Sequence, residues 1–140
     1  MYNAEYIHPD GVRSIRMANM REAGSWTKWH NLNEERVRQA PTEPGVVEIR
    51  AHGASDSAFV GSGVSVRGYI RRRLTNPERW MSPYENDLRL RGNAFEFRFA
   101  VAKSSAEARA SRNDYIREYI QLNGILPRGN KQLPQGNKNP

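Results

Sequence analysis

The sequence predicts an α+β domain in which a small antiparallel sheet of three strands is flanked by helices. Two observations predict this class. From residue 33 onward, the chain reads as short helix, two strands, basic helix, small helix, strand and long helix. Its 140 residues leave room for one hydrophobic core. We therefore expect a single domain over residues 33–130, preceded by an N-terminal extension (1–32) and followed by a flexible basic tail (131–140).

The N-terminal extension is expected to begin with a β-hairpin. Residues 2–7 and 12–17 have the composition of strands, and the turn formers of residues 8–11 lie between them. After this extension, Asn33 is placed to cap a short helix over residues 34–40, which Pro41 and Pro44 end.

Three segments predict the sheet. Residues 44–51 are rich in β-branched side chains and bounded by turn formers, and residues 58–61 form a second strand that should pair with the first. The third strand is indicated by Phe95, Phe97 and Phe99, which alternate with other residues and so share one face. We expect this face to pack against the long C-terminal helix, through Tyr115, Ile116, Tyr119 and Ile120.

Capping residues locate the remaining helices. Ser65 precedes a helix over residues 66–74, and Ser104 with Glu107 forms a capping box that opens a helix to about residue 122. Asn123 and Gly124 provide a left-handed stop for that long helix. Residues 75–83 are rich in helix breakers and read as a loop, followed by a short helix over residues 84–91.

Composition excludes several kinds of site and favours one kind of partner. The chain has no cysteine, which excludes disulfides, cysteine zinc sites and a thiol nucleophile. Residues 1–50 hold 7 basic and 7 acidic side chains, so the net charge of +7 arises entirely in residues 51–140. Such asymmetry favours a polyanionic partner, because clustered Lys and Arg displace counterions from phosphates. A charged surface that only promotes solubility is the alternative.

Membrane insertion is not expected. No apolar run approaches the roughly 18 residues of a spanning helix, and the first residues lack the pattern of a signal peptide. We therefore expect a cytoplasmic protein with no membrane partner.

Several short motifs over residues 33–130 resemble the GIY-YIG nuclease superfamily. They are Gly45-Val46-Val47, Phe59-Val60-Gly61, the arginine-rich helix, Glu118 and Asn130. In that family the first strand carries Gly-Ile-Tyr or Gly-Val-Tyr, the second carries Tyr-Ile-Gly, and the next helix carries an arginine. A glutamate on the last long helix binds one divalent metal, and an asparagine follows at the spacing of Glu118 and Asn130. The resemblance implies a DNA endonuclease that hydrolyses phosphodiester bonds with one Mg²⁺ or Mn²⁺ held by Glu118.

The sequence departs from this pattern at the catalytic positions. Val47 and Phe59 stand where the family has its two tyrosines, and neither side chain can transfer a proton. The arginine position falls on Tyr69, so a shift of register would bring Arg71 or Arg72 to the phosphate, or Tyr69 would take over a tyrosine's role. Glu118 has two readings, as metal ligand or as a solvated helix residue, with Asp114 as a second candidate ligand.

The candidate site residues form three groups. The catalytic candidates are Tyr69, Arg71, Arg72 and Glu118; the nucleic-acid-binding candidates are Arg67, Arg71, Arg72, Arg73, Arg128 and Lys131; the supporting residues are Gly45, Val47, Phe59, Gly61 and Asn130. If the arginines do not contact phosphates, the alternative is that they form a solvated helix face. Trp26, Trp29 and Trp80 are expected in the core rather than stacked on bases, and His52 is expected to be a loop residue rather than a base.

Three functions remain open at this point. The first is a divergent Mg²⁺-dependent endonuclease, and the second is a catalytically degenerate GIY-YIG-like protein that binds nucleic acid. The third is a protein-interaction module or inhibitor that uses its basic face against an acidic surface. DNA is the expected partner and RNA the alternative, and a homodimer would allow so small a domain to cut both strands.

Overall fold

The computed structural model describes residues 25–131 in full and the backbone of two short strands before them. These two strands, β1 (Glu5–Ile7) and β2 (Arg13–Ile15), pair antiparallel, with Tyr6 opposite Ser14. The predicted N-terminal hairpin is confirmed over these strands. Its remaining residues, and the predicted flexible tail from residue 132 onward, lie outside the described residues.

The main sheet has four antiparallel strands, not the three predicted. They are β3 (His30–Asn31), β4 (Gly45–Ala51), β5 (Phe59–Gly63) and β6 (Phe95–Val101), in the order β3-β6-β4-β5. The additional strand β3 pairs His30 with Phe97 and Asn31 with Glu96. A strand of two residues has no alternation for sequence analysis to detect, which is why the prediction of three strands was wrong.

Five helices accompany the sheet among the described residues. They are α1 (Glu34–Gln39), α2 (Val66–Thr75), α3 (Pro77–Trp80), α4 (Pro83–Leu90) and α5 (Ser105–Asn123). The predicted caps are confirmed, since the side chains of Asn33, Ser65 and Ser104 each accept a hydrogen bond from the backbone of the first helical turn. Gly124 ends α5 in the left-handed conformation at φ 78°. The predicted loop over residues 75–83 contains the short helix α3.

The sheet separates two hydrophobic clusters. On one face, Val46, Val60 and Ala100 pack with Tyr115 and Ile116 of α5. The other face is made by the strand residues that alternate with the first set, Val47, Ile49, Phe95 and Phe97. It packs with Val37 of α1 and with Val66 and Ile70 of α2.

The expectation that the phenylalanine face of β6 packs against α5 is wrong. Phe95, Phe97 and Phe99 belong to the α1 and α2 cluster, whereas Ala100 of the same strand belongs to the α5 cluster. Alternation shows which side chains share a face of a strand, but it does not show which helix covers that face.

Within the part of the chain that the structure describes, we find no helix with the length and apolar character needed to cross a membrane.

Candidate nucleic-acid interface

The four motif residues of β4 and β5 lie side by side in the sheet. Val47 is opposite Gly61, and Ile49 is opposite Phe59. Val47 is fully buried. Gly45 is fixed by close packing, because a Cβ atom there would come within 2.6 Å of the Ala100 carbonyl oxygen. These strands therefore present packed apolar groups, without a hydroxyl, at Val47 and Phe59.

The ring of Tyr69 in α2 covers Gly61, and its hydroxyl touches the position that a Cβ atom of Gly61 would occupy. Burial raises the pKa of Tyr69 to about 12, although the charges of Arg73 and Arg112 favour the ionised form. The hydroxyl therefore stays protonated at neutral pH. Tyr69 fills the space beside Val47 as a packing residue.

Arg73 is enclosed by α4 and cannot be reached by a phosphate without disrupting that packing. Its Nε donates to Glu85 Oε2 at 3.1 Å and its Nη2 donates to Glu85 Oε1 at 3.2 Å, and both side chains are buried. Glu85 Oε1 also accepts the backbone N–H of Ser82 at 2.8 Å, which closes the capping box of α4. The guanidinium lies over the rings of Phe59 and Tyr69, at 4.7 and 4.6 Å. Arg73 thus joins α2, α4 and β5.

The other three arginines predicted on α2 have different surroundings. Arg67 donates from Nε to the Ala40 carbonyl at 2.8 Å and so holds α2 against the end of α1. Arg71 pairs with Glu34 at 3.1 Å on the surface. Arg72 lies over the Trp80 ring, with Cζ 5.1 Å from the ring centroid. Of the four, Arg72 combines exposure with the absence of a carboxylate partner among residues 25–131.

Arg79 of α3 lies over the same indole ring, with Cζ 5.2 Å from the centroid. Like Arg72, it makes no ion pair within residues 25–131. The ring of Trp80 is 41% exposed, so the prediction that it lies in the core is wrong. We call Arg72, Arg79 and Trp80 the Trp80 surface. Sequence analysis did not include Arg79 among the nucleic-acid-binding candidates. The available signal was its position, directly before Trp80 and seven residues after Arg72.

Glu118 lies on α5 and is not one of the charged groups that surround Tyr69. Those groups are Arg73, Glu85 and Arg112. Arg112 and Glu118 are six residues apart, which places them about 120° apart around the helix axis, so they lie on different sides of α5. The structure therefore does not bring Glu118 together with Tyr69. Glu118 Oε1 is buried and has no hydrogen-bond partner among the described residues.

A divalent cation would find one candidate carboxylate here. The described part of the chain contains no group of three or more His, Asp or Glu side chains able to hold a metal ion. The second candidate ligand, Asp114, contacts Arg117 at 3.6 Å. The unpartnered Oε1 of Glu118 is an acceptor that a cation could satisfy, but the atom is closed to solvent. A cation that retains most of its waters, as Mg²⁺ usually does, would reach it only after the surrounding groups move.

The residues after α5 bind the free edge of β5. Asn130 Oδ1 accepts the N–H of Val60 and its Nδ2 donates to the Val60 carbonyl, both at 2.9 Å. Arg128 pairs with Asp56 at 3.0 Å, while Lys131 is exposed. The Asn130 amide therefore holds the edge of β5, and Arg128 already has a carboxylate partner.

Sequence analysis missed a polar network between the sheet and α5. Glu48 of β4 is opposite Arg98 of β6, and Arg50 is opposite Glu96. The pairs are ion pairs with N to O distances of 2.7 Å in both cases. The signal was present, since Glu-x-Arg occurs on both strands and the antiparallel register places opposite charges together.

Two tryptophans and a histidine extend this network. Arg98 lies over the rings of Trp26 and Trp29, at 4.3 and 4.8 Å from their centroids. His52 Nδ1 lies 2.8 Å from Glu96 Oε2. Both tryptophans are partly buried, in keeping with the structural role expected of them.

No protein-family model, curated protein or solved structure matches this chain.

Proposed function

We propose that this protein binds nucleic acid, with DNA as the expected ligand and RNA as the alternative, on a GIY-YIG-like arrangement whose catalytic positions hold packing residues. One observation carries the proposal. Arg72 and Arg79 lie on the same exposed tryptophan ring, and neither is neutralised by a carboxylate of residues 25–131. Guanidinium groups without acidic partners bind phosphate oxygens through charge-assisted hydrogen bonds.

The choice of binding over catalysis rests on the positions that the resemblance assigns to chemistry. Val47 and Phe59 have no proton to transfer, and Tyr69 has its hydroxyl packed on Gly61 with a raised pKa. Arg73 is held by Glu85. None of these groups is free to generate a nucleophile or to stabilise a pentavalent phosphorane.

The charge of the chain supports a polyanionic ligand. The excess of +7 lies in residues 51–140, and the arginines described there that pair with carboxylates are Arg71, Arg73, Arg91, Arg98, Arg117 and Arg128. The unpaired positive charge is therefore concentrated on fewer side chains than the sequence suggests. Those of the Trp80 surface are close enough together to contact neighbouring phosphates of one strand.

The test is binding of labelled duplex DNA, single-stranded DNA and RNA by fluorescence anisotropy between about 50 and 200 mM salt. The Arg72→Ala/Arg79→Ala variant should bind more weakly, and its slope of log affinity against log salt should fall by about 1.4 to 1.8. A matched control, Lys103→Ala/Arg109→Ala, removes the same charge at α5 and should leave the slope near that of the wild type. Absence of binding at 50 mM salt would contradict the proposal and favour an acidic protein partner.

A second candidate, a Mg²⁺-dependent endonuclease, is favoured by the buried and unpartnered Oε1 of Glu118. Supercoiled plasmid incubated with protein and Mg²⁺ or Mn²⁺ tests it. Slow nicking that disappears in Glu118→Ala and persists in Glu78→Ala would establish the enzyme. No nicking by the wild type, or nicking that survives Glu118→Ala, would leave binding as the function.

A further inference from the structure

We infer that the Trp80 surface holds an unpaired base, so that the preferred ligand is single-stranded nucleic acid or an unpaired stretch within a duplex. The inference rests on the proposed function and names the ligand class of the same surface. Its basis is the combination of a large exposed ring, two unpaired guanidinium groups beside it, and a hydrogen-bonded backbone that carries the ring.

The backbone on both sides of Trp80 is held by hydrogen bonds. Trp80 ends the short helix α3, where the N–H groups of Arg79 and Trp80 both donate to the Asn76 carbonyl at 3.2 Å. The next residue, Met81, donates to the Pro77 carbonyl at 2.9 Å and is buried in the core. The chain is therefore anchored on both sides of an exposed indole. Because this backbone is already ordered, a ligand that stacks on the ring has only the two side-chain torsions of Trp80 left to restrict.

The two arginines can exchange the ring for phosphate. A cation–π contact at an exposed site is worth about a two- to five-fold change in an equilibrium constant. Stacking of a base on an aromatic side chain is worth about five- to 150-fold. A base that displaces Arg72 or Arg79 from the ring thus gains more than it removes, and the released guanidinium is free to bind a phosphate next to that base.

A duplex cannot use the ring in the same way. Stacked and paired bases present their edges in the grooves, and their faces are covered by neighbouring bases. Only an unpaired or flipped base presents a face to a side chain. The arginines alone would bind the phosphates of a duplex, so the contribution of Trp80 should separate the two kinds of ligand.

Neither arginine of the Trp80 surface forms an ion pair with a carboxylate of residues 25–131. Glu78, on the same helix, is exposed and forms no ion pair within residues 25–131. The residues on either side of Arg72 in α2 take up two other carboxylates, since Arg71 pairs with Glu34 and Arg73 pairs with Glu85. A negative ligand at Trp80 therefore does not have to break an existing ion pair of Arg72 or Arg79.

The experiment measures affinities of the full chain for a 20-nucleotide single strand, the matching duplex, and that duplex with a three-nucleotide bulge. The wild type should bind the single strand and the bulged duplex about tenfold more tightly than the perfect duplex. Trp80→Ala should lose most of this difference while its affinity for the perfect duplex changes less than about twofold. Trp80→Phe keeps a ring and should fall between them. Leu90→Ala, which removes another exposed apolar side chain, is the control and should match the wild type.

Two other outcomes are distinguishable: one contradicts only the unpaired base, and the other contradicts nucleic-acid binding as well. If Trp80→Ala keeps the full preference for the single strand, or if the wild type has no such preference, the inference about the unpaired base is wrong while nucleic-acid binding stands. If the wild type binds none of the three ligands at 50 mM salt, the proposed function fails as well. Equal thermal melting temperatures of the variants and the wild type confirm that folding is not the cause, as expected for an exposed ring.

Discussion

Glu48 and Arg98 face each other across β4 and β6 and form a buried ion pair that joins the sheet to α5. Arg98 Nη2 lies 2.7 Å from Glu48 Oε1, and Arg98 Nε donates to the same oxygen at 2.8 Å. The Tyr115 hydroxyl of α5 lies 3.1 Å from both carboxylate oxygens of Glu48. Glu48 is only 3% exposed, so these two partners replace the hydration that its buried carboxylate lacks.

Arg98→Met should lower the free energy of unfolding by about 3 to 5 kcal/mol, because it leaves the Glu48 carboxylate buried without a cation. The variant Glu48→Gln/Arg98→Met should lose less than the sum of the two single changes, since it removes both charges. Urea unfolding of the four proteins measures this coupling. A loss below about 1 kcal/mol for Arg98→Met would show that water reaches Glu48.

Glu96 should make stability depend on acid pH. Burial alone would raise the pKa of its carboxyl, but the hydrogen bond and charge of Arg50, with the Gly53 N–H and His52, outweigh burial and lower it. Because the folded pKa lies below the ordinary value of 4.5, the stabilisation is fully present above about pH 4.5. It is lost as the pH falls from there through the folded pKa.

Glu96→Gln isolates this contribution. The variant should be about 1 to 2 kcal/mol less stable than the wild type at pH 7, and the difference should shrink below about pH 4.5. Glu78→Gln, at an exposed carboxylate without an ion pair among residues 25–131, is the control and should show no such trend. A difference for Glu96→Gln that is the same at pH 3 and pH 7 would contradict the role of its charge.

Substitution of Arg73 should lower stability, whereas substitution of the two arginines of the Trp80 surface should leave stability nearly unchanged. Arg73→Ala should lower the free energy of unfolding by about 3 to 5 kcal/mol, because Glu85 would remain buried and unpaired. Arg72→Ala/Arg79→Ala should cost less than about 1 kcal/mol, since both side chains are exposed. Thermal or urea unfolding provides the comparison. Equal losses in the two variants would mean that Arg72 and Arg79 are structural, and that nucleic acid binds elsewhere.

The local signals in the sequence predicted the local structure. Asn33, Ser65 and Ser104 cap helices because their side-chain oxygens satisfy N–H groups of the first turn, an interaction between residues three apart. The pairing of strand β3, and the choice of helices that cover the Phe97 face of the sheet, depend on contacts between distant residues. No pattern within either segment encodes such contacts, so sequence analysis predicted neither correctly.

The same limit applies to the candidate site. The sequence identified an arginine-rich helix, but whether each arginine is free depends on acids far along the chain, such as Glu34 for Arg71 and Glu85 for Arg73. Trp80 was assigned to the core because large aromatic residues usually lie there. Its exposure follows from the short helix α3, which no periodic pattern reveals.

Asn130 should stabilise the edge of the sheet through both ends of its amide. Asn130→Ala would remove the partners of the Val60 N–H and carbonyl, and it should lower the free energy of unfolding by about 1 to 3 kcal/mol. Asn130→Asp retains an acceptor for the N–H but places a second oxygen against the Val60 carbonyl, so it should not restore stability. Amide hydrogen exchange measures the effect directly, because the Val60 N–H should lose protection in Asn130→Ala while the N–H groups of β6, on the far side of β4, keep theirs. Unchanged protection at Val60 would show that the Asn130 amide does not hold this edge.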